Sequence, residues 1–165
     1  MSDLTLIFSR GDDWISRLIR FFTRSRFSHV ALVSPDGTTV IESTGLTRPD
    51  GVQQTPLDVW QARHPGFELR AAHHPNPESV WAIACSQMGK PYDNSYIWGW
   101  LLHRNWQAPD RWACHELIFW SAYQTGFPLL DMRDAGWLTP QHLFLISKPG
   151  GDAAALLDGT SSAAS

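Results

Sequence analysis

The chain is poor in the features that take a protein out of the ordinary globular class. Its 165 residues hold two cysteines, Cys85 and Cys114, which do not make a disulfide framework, and neither sits in a Cys-x-x-Cys pair. Positive charge is not in excess: 13 Lys and Arg stand against 16 Asp and Glu, for a net charge of −3, so the basic footprint of a general nucleic-acid binder is missing. No apolar run approaches the ~20 residues that cross a bilayer. Met1-Ser2-Asp3 offers no basic n-region, and the apolar stretch behind it is too short for a secretory leader. The expected location is therefore cytoplasmic by default, with non-Sec export or delivery by phage lysis left open. No internal repeat is visible. Adjacent His73 and His74 would point to opposite faces of an extended segment and lack further ligands at suitable spacing, so neither a metal nor a cofactor is expected.

What is present fits one α+β domain. A hydrophobic content of 43% can bury a single core of ordinary size, expected over residues 1–149, whereas residues 150–165 are rich in Ala, Gly and Ser and read as a disordered tail. Leu4 to Phe8 alternates as a short strand. Trp14, Ile15, Leu18, Ile19 and Phe22 then recur at helical spacing behind a cap at Asp12 or Asp13, with Arg17, Arg20 and Arg24 mostly on the other face. That face is either simply solvated or, with Arg10, Arg24 and Arg26 flanking the next strand, attracts an anionic substrate. Ser28–Val33 and Thr38–Ser43 read as a hairpin around Ser34-Pro35-Asp36-Gly37. Beyond it come a loop over Thr44–Pro56, a short helix over Pro56–Ala62 with Trp60, and a strand over Phe67–Ala72. A helix over Pro77–Met88 ends at Gly89, with Val80, Ile83 and Ala84 buried and Cys85 as a small hydrophobe. An apolar helix or cleft wall follows over Asn94–His103. Asp110 caps a helix that opens with Arg111-Trp112-Ala113 and ends at Gly126; Thr139 caps another, and Leu145-Ile146-Ser147 closes the sheet.

Two segments carry chemistry. Phe27 to Val33 holds His29 on a β-branched strand, and Trp112 to Ile118 places Cys114 near the start of an apolar helix. There, unpaired backbone N–H groups and the positive end of the helix dipole favour a thiolate. A thiol with an imidazole is the pair that nucleophilic acyl transfer needs. The hairpin register decides what orients His29. If Ser34 pairs with Gly37, His29 lies opposite Glu42; a one-residue bulge at Gly37 puts it opposite Ser43 instead. Nine tryptophans are many for this length, and Trp98, Trp100, Trp106 and Trp112 fall in segments expected near a cleft. They either pack the core or present indole faces to sugar rings, acyl chains or peptide. Trp98 and Trp112, together with Arg24, are the candidate substrate contacts. Glu116 points away around the helix from Cys114 and reads as a cap or salt-bridge partner.

The order of these parts resembles a known family. Leu6-Ile7-Phe8, then Ser28-His29-Val30 with Glu42 on the following strand, then Gly89-Lys90-Pro91-Tyr92-Asp93 ahead of Trp112-x-Cys114-x-Glu116-Leu117, then Thr139-Pro140, are similar to the circularly permuted branch of the NlpC/P60 superfamily, which holds the YiiX/YaeF-like and lecithin:retinol-acyltransferase-like proteins. The likeness covers roughly residues 4 to 149, and His115 departs from it, standing where many relatives place a serine. It implies a permuted papain-like α+β fold, a small antiparallel sheet packed against helices, with the histidine strand before the cysteine helix. It favours Glu42 as the group that orients His29, with Ser43 in reserve, and Tyr92 as a phenol donor to an oxyanion beside the Cys114 N–H. The implied reaction is thiol hydrolysis of an amide through a Cys114 acyl-thioester, with cell-wall peptide as the first substrate class. A lipid-directed amidase, thioesterase or acyltransferase is the alternative, and a noncatalytic binding or assembly module on the same fold is another.

Overall fold

The computed structural model of the chain describes residues 3–11, 16–17, 20–21, 24–45, 50–93, 110–130 and 138–150. The expected helix behind Asp12 falls largely outside these residues. The aromatic segment 94–103 with Trp98 and Trp100, Trp106, and the tail after Gly150 lie wholly outside them.

Among the described residues, six strands form one sheet: β1 (Leu4–Ser9), β2 (His29–Val33), β3 (Thr39–Thr44), β4 (Gly51–Pro56), β5 (Glu68–Ala72) and β6 (Lys148–Pro149). Their order is β4-β3-β2-β1-β5-β6, and every neighbouring pair is antiparallel. The described helices are α1 (Leu57–Arg63), α2 (Pro77–Cys85), α3 (Cys114–Gln124) and α4 (Pro140–Ile146).

The central strands are apolar on both faces because both faces are covered. Leu4, Leu6, Phe8, Val30, Leu32 and Ile41 pack with Val80 and Ala84 of α2, Leu117 and Ile118 of α3, and Leu143 of α4. On the opposite face, Ile7, Ala31, Val33 and Val40 pack with Leu57 and Trp60 of α1. Each such buried side chain contributes roughly 1.5–3 kcal/mol, and together they fix which residues of β2 and β3 face which helix.

The hairpin departs from both expected registers. Leu32 pairs with Ile41 and Val33 with Val40, so the loop holds four residues, Pro35 to Thr38. Ser34 N–H donates to the Thr39 carbonyl at 2.8 Å, and Ser34 Oγ accepts the N–H groups of Thr38 and Thr39. Gly37 supplies the left-handed residue, with φ of 71°. The side chains of Ser34 and Asp36 stitch the wider loop together, which a turn template based on Pro and Gly alone does not anticipate. Continued along the strands, this register sets His29 opposite Thr44, two residues beyond Glu42 on the same face. Beyond the two pairs at Leu32 and Val33, no further ladder pair joins β2 to β3.

The segment expected to be a loop up to Pro56 contains β4, which pairs with β3 from Thr39↔Pro56 to Thr44↔Gly51. Its Gln53, Gln54 and Thr55 lack apolar alternation, so the strand is held by its ladder and by Val52, which packs into the larger core. Its outer edge is met by the turn after α2, where Val52 N–H donates to the Lys90 carbonyl at 2.8 Å and Gly89 N–H to the Val52 carbonyl at 2.9 Å. The helix expected over Pro77–Met88 stops at Cys85, and the closing strand comes at Lys148–Pro149, later than expected.

Candidate active site

His29 is the first residue of β2 and shares its face with Ala31 and Val33, the α1 side of the sheet. Glu42 lies on the same face of β3, and its carboxylate Oε2 stands 2.6 Å from His29 Nε2. The same oxygen accepts the Trp60 indole N–H at 2.8 Å, and Oε1 accepts Thr55 Oγ1 at 3.4 Å. Glu42 is 4% exposed and Trp60 wholly buried, so the carboxylate is oriented by protein donors rather than by water. His64, just after α1, completes the cluster. Its ring stacks on Trp60 at 4.1 Å and lies 5.9 Å from the His29 ring, while its Nδ1 stands 2.9 Å from the Trp60 carbonyl.

Cys114 approaches from the other layer. The chain entering it is pinned twice: Tyr92 and Trp112 form a parallel bridge, and Ser43 Oγ donates to the Trp112 carbonyl at 2.6 Å. Because residues 111 to 113 are held in this extended bridge, the helix opens at Cys114 itself rather than at Arg111, with Ala113 as the N-cap residue. An alanine has no side-chain acceptor to offer. Instead Glu116 reaches back, its Oε2 accepting the Ala113 N–H at 2.9 Å. The N–H groups of the first helical turn have no intrahelical acceptor, so those of Cys114 and His115 face outward from the helix start beside the sulfur.

The charges follow from this packing. Burial by itself pushes the His29 imidazole down, but its interactions with Cys114 and Glu42 overcome that and raise it to about 10. Burial pushes the Cys114 thiol up, yet hydrogen bonding and charge from His115 and then His29 bring it down to about 5. Thiolate and imidazolium therefore stabilise each other across the neutral range. With Nε2 on Glu42, Nδ1 is the His29 nitrogen left for the sulfur. Glu42 stays below the usual carboxylate range, since the bonds from His29 and Trp60 outweigh its burial. Burial, with the His29 charge adding to it, lowers the His64 imidazole from its ordinary value.

Of the residues picked out in the sequence, His29 and Glu42 meet at 2.6 Å, and the Cys114 thiol interacts with His29. Ser43 is not the partner of His29: it points to the opposite face and anchors the strand before Cys114. Tyr92 is placed by its bridge two residues upstream of Cys114 along the partner segment, with its ring so close to Gly45 that a Cβ there would meet it at 2.4 Å. Trp112 is a core residue rather than a substrate contact. It is 7% exposed, packs on Trp120 at 4.7 Å and donates its indole N–H to Gln87 at 3.3 Å. Arg24 is exposed, with φ of 48°. Trp98 lies outside the described residues. Cys85 is an ordinary thiol, pushed up by burial, its sulfur accepting from Gln54. Sequence reasoning missed the roles of Trp60, His64 and His115. The one available signal was that a buried indole N–H needs an acceptor.

No family model matches the chain, and no curated protein matches it. Among solved structures it is similar to the metalloprotein YiiX from Escherichia coli O157:H7, with a TM-score of 0.56 and 25% sequence identity over 75% of this chain. The fold is YiiX-like. The chain spans 65% of the YiiX chain. Although YiiX is described as a metalloprotein, no cluster of three or more His, Cys, Asp or Glu side chains suited to a metal ion occurs among the described residues here. Nor is any described helix long and apolar enough to cross a membrane.

Proposed function

We propose that this chain is a thiol hydrolase of the permuted NlpC/P60 kind, cleaving an amide through an acyl-thioester on Cys114. The observation that carries the reading is the His29–Glu42 pair at 2.6 Å coupled to a cysteine that is the first residue of a helix. The Cys114 thiolate attacks the substrate carbonyl, and the His29 imidazolium gives its proton to the leaving nitrogen as the C–N bond breaks. Neutral His29 then takes a proton from water, hydroxide attacks the thioester, and the thiolate leaves. Glu42, held by Trp60 and Thr55, keeps Nε2 protonated and the ring in place through both steps. In this reading the N–H of Cys114 and the phenol of Tyr92 donate to the carbonyl oxygen as it gains charge. Peptide amides of the cell-wall type are the first substrate class, and an amine or alcohol in place of water makes the same residues an acyltransferase.

The test is intact-mass trapping of the acyl-enzyme with peptide amides, cell-wall peptides and long-chain acyl esters offered side by side. A Cys114 adduct that is released by hydroxylamine and absent in Cys114→Ala supports the reading, and the class that turns over fastest names the substrate. Adducts from acyl esters alone move the assignment to a lipid-directed enzyme. No adduct from any class, with Cys114 titrating like a free thiol, leaves a noncatalytic binding module.

A further inference from the structure

Cys114 has a second imidazole that the mechanism above does not use. His115 occupies the second position of α3, is 1% exposed, and sets Nδ1 at 3.9 Å from the Cys114 sulfur. Helical side chains lean toward the N-terminus, so consecutive residues of a first turn can both reach the space in front of it. A nitrogen at this distance is within hydrogen-bond reach of a sulfur, and burial strips away the water that would otherwise compete for the anion. The two imidazoles also differ in role. His29 is tied to a carboxylate and belongs to the sheet, while His115 is carried by the nucleophile's own helix and moves with it.

We propose, resting on the reading of Cys114 as nucleophile, that His115 is a second catalytic imidazole whose Nδ1–H donates to the sulfur whenever that sulfur is an anion. In acylation the C–S bond forms, the C–N bond breaks, and the proton on His29 goes to the amine, which leaves His29 neutral. In deacylation His29 removes a proton from water, the hydroxide adds to the thioester, and the sulfur departs with the electron pair of the C–S bond. His29 becomes cationic only as that step proceeds, whereas the His115 N–H is in place beforehand and lowers the basicity of the departing sulfur. A less basic thiolate leaves faster. The division of labour is therefore that His29 moves the proton and His115 holds the negative charge.

The titratable groups around the sulfur are His29 and Glu42 from β2 and β3, His115 and Glu116 in the first turn of α3, and Asp93, whose charge is felt at Glu116. The test separates His115 from the others by the pH profile of iodoacetamide alkylation at Cys114, read by peptide mass, in the native chain, His29→Ala, His115→Leu, His115→Asn and His29→Ala/His115→Leu. In His29→Ala the alkylation midpoint should remain at least about one pH unit below a free thiol, a roughly tenfold excess of thiolate, and in the double variant that excess should shrink to what the helix start alone supplies. His115→Asn, which restores a neutral N–H, should recover part of what His115→Leu loses. With any substrate that turns over, His115→Leu should accumulate acyl-enzyme relative to the native chain. A midpoint in His29→Ala equal to a free thiol overturns the proposal, and this measurement does not require the His115 variants to fold. If the native Cys114 itself titrates as a free thiol, the nucleophile reading fails first. A depressed native midpoint that His115→Leu leaves unmoved sinks the role of His115 alone.

Discussion

Replacing Glu42 by glutamine removes one charge from the site and little else. The native Oε2 accepts from both His29 Nε2 at 2.6 Å and Trp60 Nε1 at 2.8 Å, and Oε1 takes the Thr55 hydroxyl at 3.4 Å. A glutamine keeps both ring donors on its carbonyl oxygen and turns its amide toward Thr55, whose hydroxyl accepts as readily as it donates. What is lost is charge assistance. A hydrogen bond to an ionised group is worth roughly 1.5–3 kcal/mol and a neutral one roughly 0.5–1.5, so the imidazolium loses about 1–2 kcal/mol of support. That moves the His29 titration down from about 10 by about one pH unit. NMR of ring-labelled histidine follows the shift without a substrate, and the alkaline limb of turnover should fall with it, because leaving-group protonation needs the imidazolium. Stability measured by urea unfolding should change by no more than about 1 kcal/mol, as both ring donors keep their acceptor and only the long contact with the Thr55 hydroxyl is reversed. A His29 midpoint that stays put in Glu42→Gln would refute the charge coupling on which the mechanism rests. A stability loss of several kcal/mol would instead show that the carboxylate is chiefly a packing element.

Three further outcomes are expected. Burial raises the Glu116 carboxyl from its ordinary value of 4.5 to about 7, so between those values the unfolded chain binds fewer protons than the folded one and stability falls as pH rises; Glu116→Gln, which can still accept the Ala113 N–H, should remove that fall and gain about 2 kcal/mol at pH 8 but almost nothing at pH 4.5, after allowance for the partial exposure of Glu116. Ser43→Ala removes the 2.6 Å bond to the Trp112 carbonyl, which keeps the Asp93 N–H, and should cost about 1 kcal/mol in urea unfolding while slowing Cys114 alkylation. Gly51 has φ of 98°, and a Cβ on it would meet the Lys90 carbonyl oxygen at 2.2 Å, so Gly51→Ala should lower stability by at least about 2–3 kcal/mol, seen as a fall in Tm.

Much of the site was legible because its parts are local. The apolar run after Ser28 reads as a strand in any context, and a cysteine ahead of Leu117 and Ile118 reads as lying near the start of a helix. The elements that escaped detection depend on distant partners. β4 is polar in sequence and exists through its pairing with β3 and the turn at Lys90. A cap at Asp110 predicts the start of α3 three residues early, whereas the Trp112 carbonyl is claimed by Ser43 and its N–H donates to the Pro91 carbonyl. Both templates for the hairpin turn missed the register because the Ser34 and Asp36 side chains hold a wider loop than Pro35 and Gly37 suggest. The pairing of His29 with Glu42 nevertheless came out right, since widening the tightest loop by two residues preserves the alternation of faces. Trp60 reads as a helix residue, but nothing local says that its N–H ends on a carboxylate two elements back along the chain.

The indole of Trp60 is at once part of the smaller core and a clamp on the Glu42 carboxylate, so packing and acid–base state cannot be separated on that face of the sheet. α1 is only seven residues long, too short to hold its shape without its burial against β1 to β3. A brief lifting of this helix admits water to Glu42, frees the His29 ring and dissolves the ion pair, although the larger core on the opposite face stays intact. On warming, the chain should therefore lose its reactive thiolate before it loses its fold, with a gap in temperature set by the local stability of one short helix.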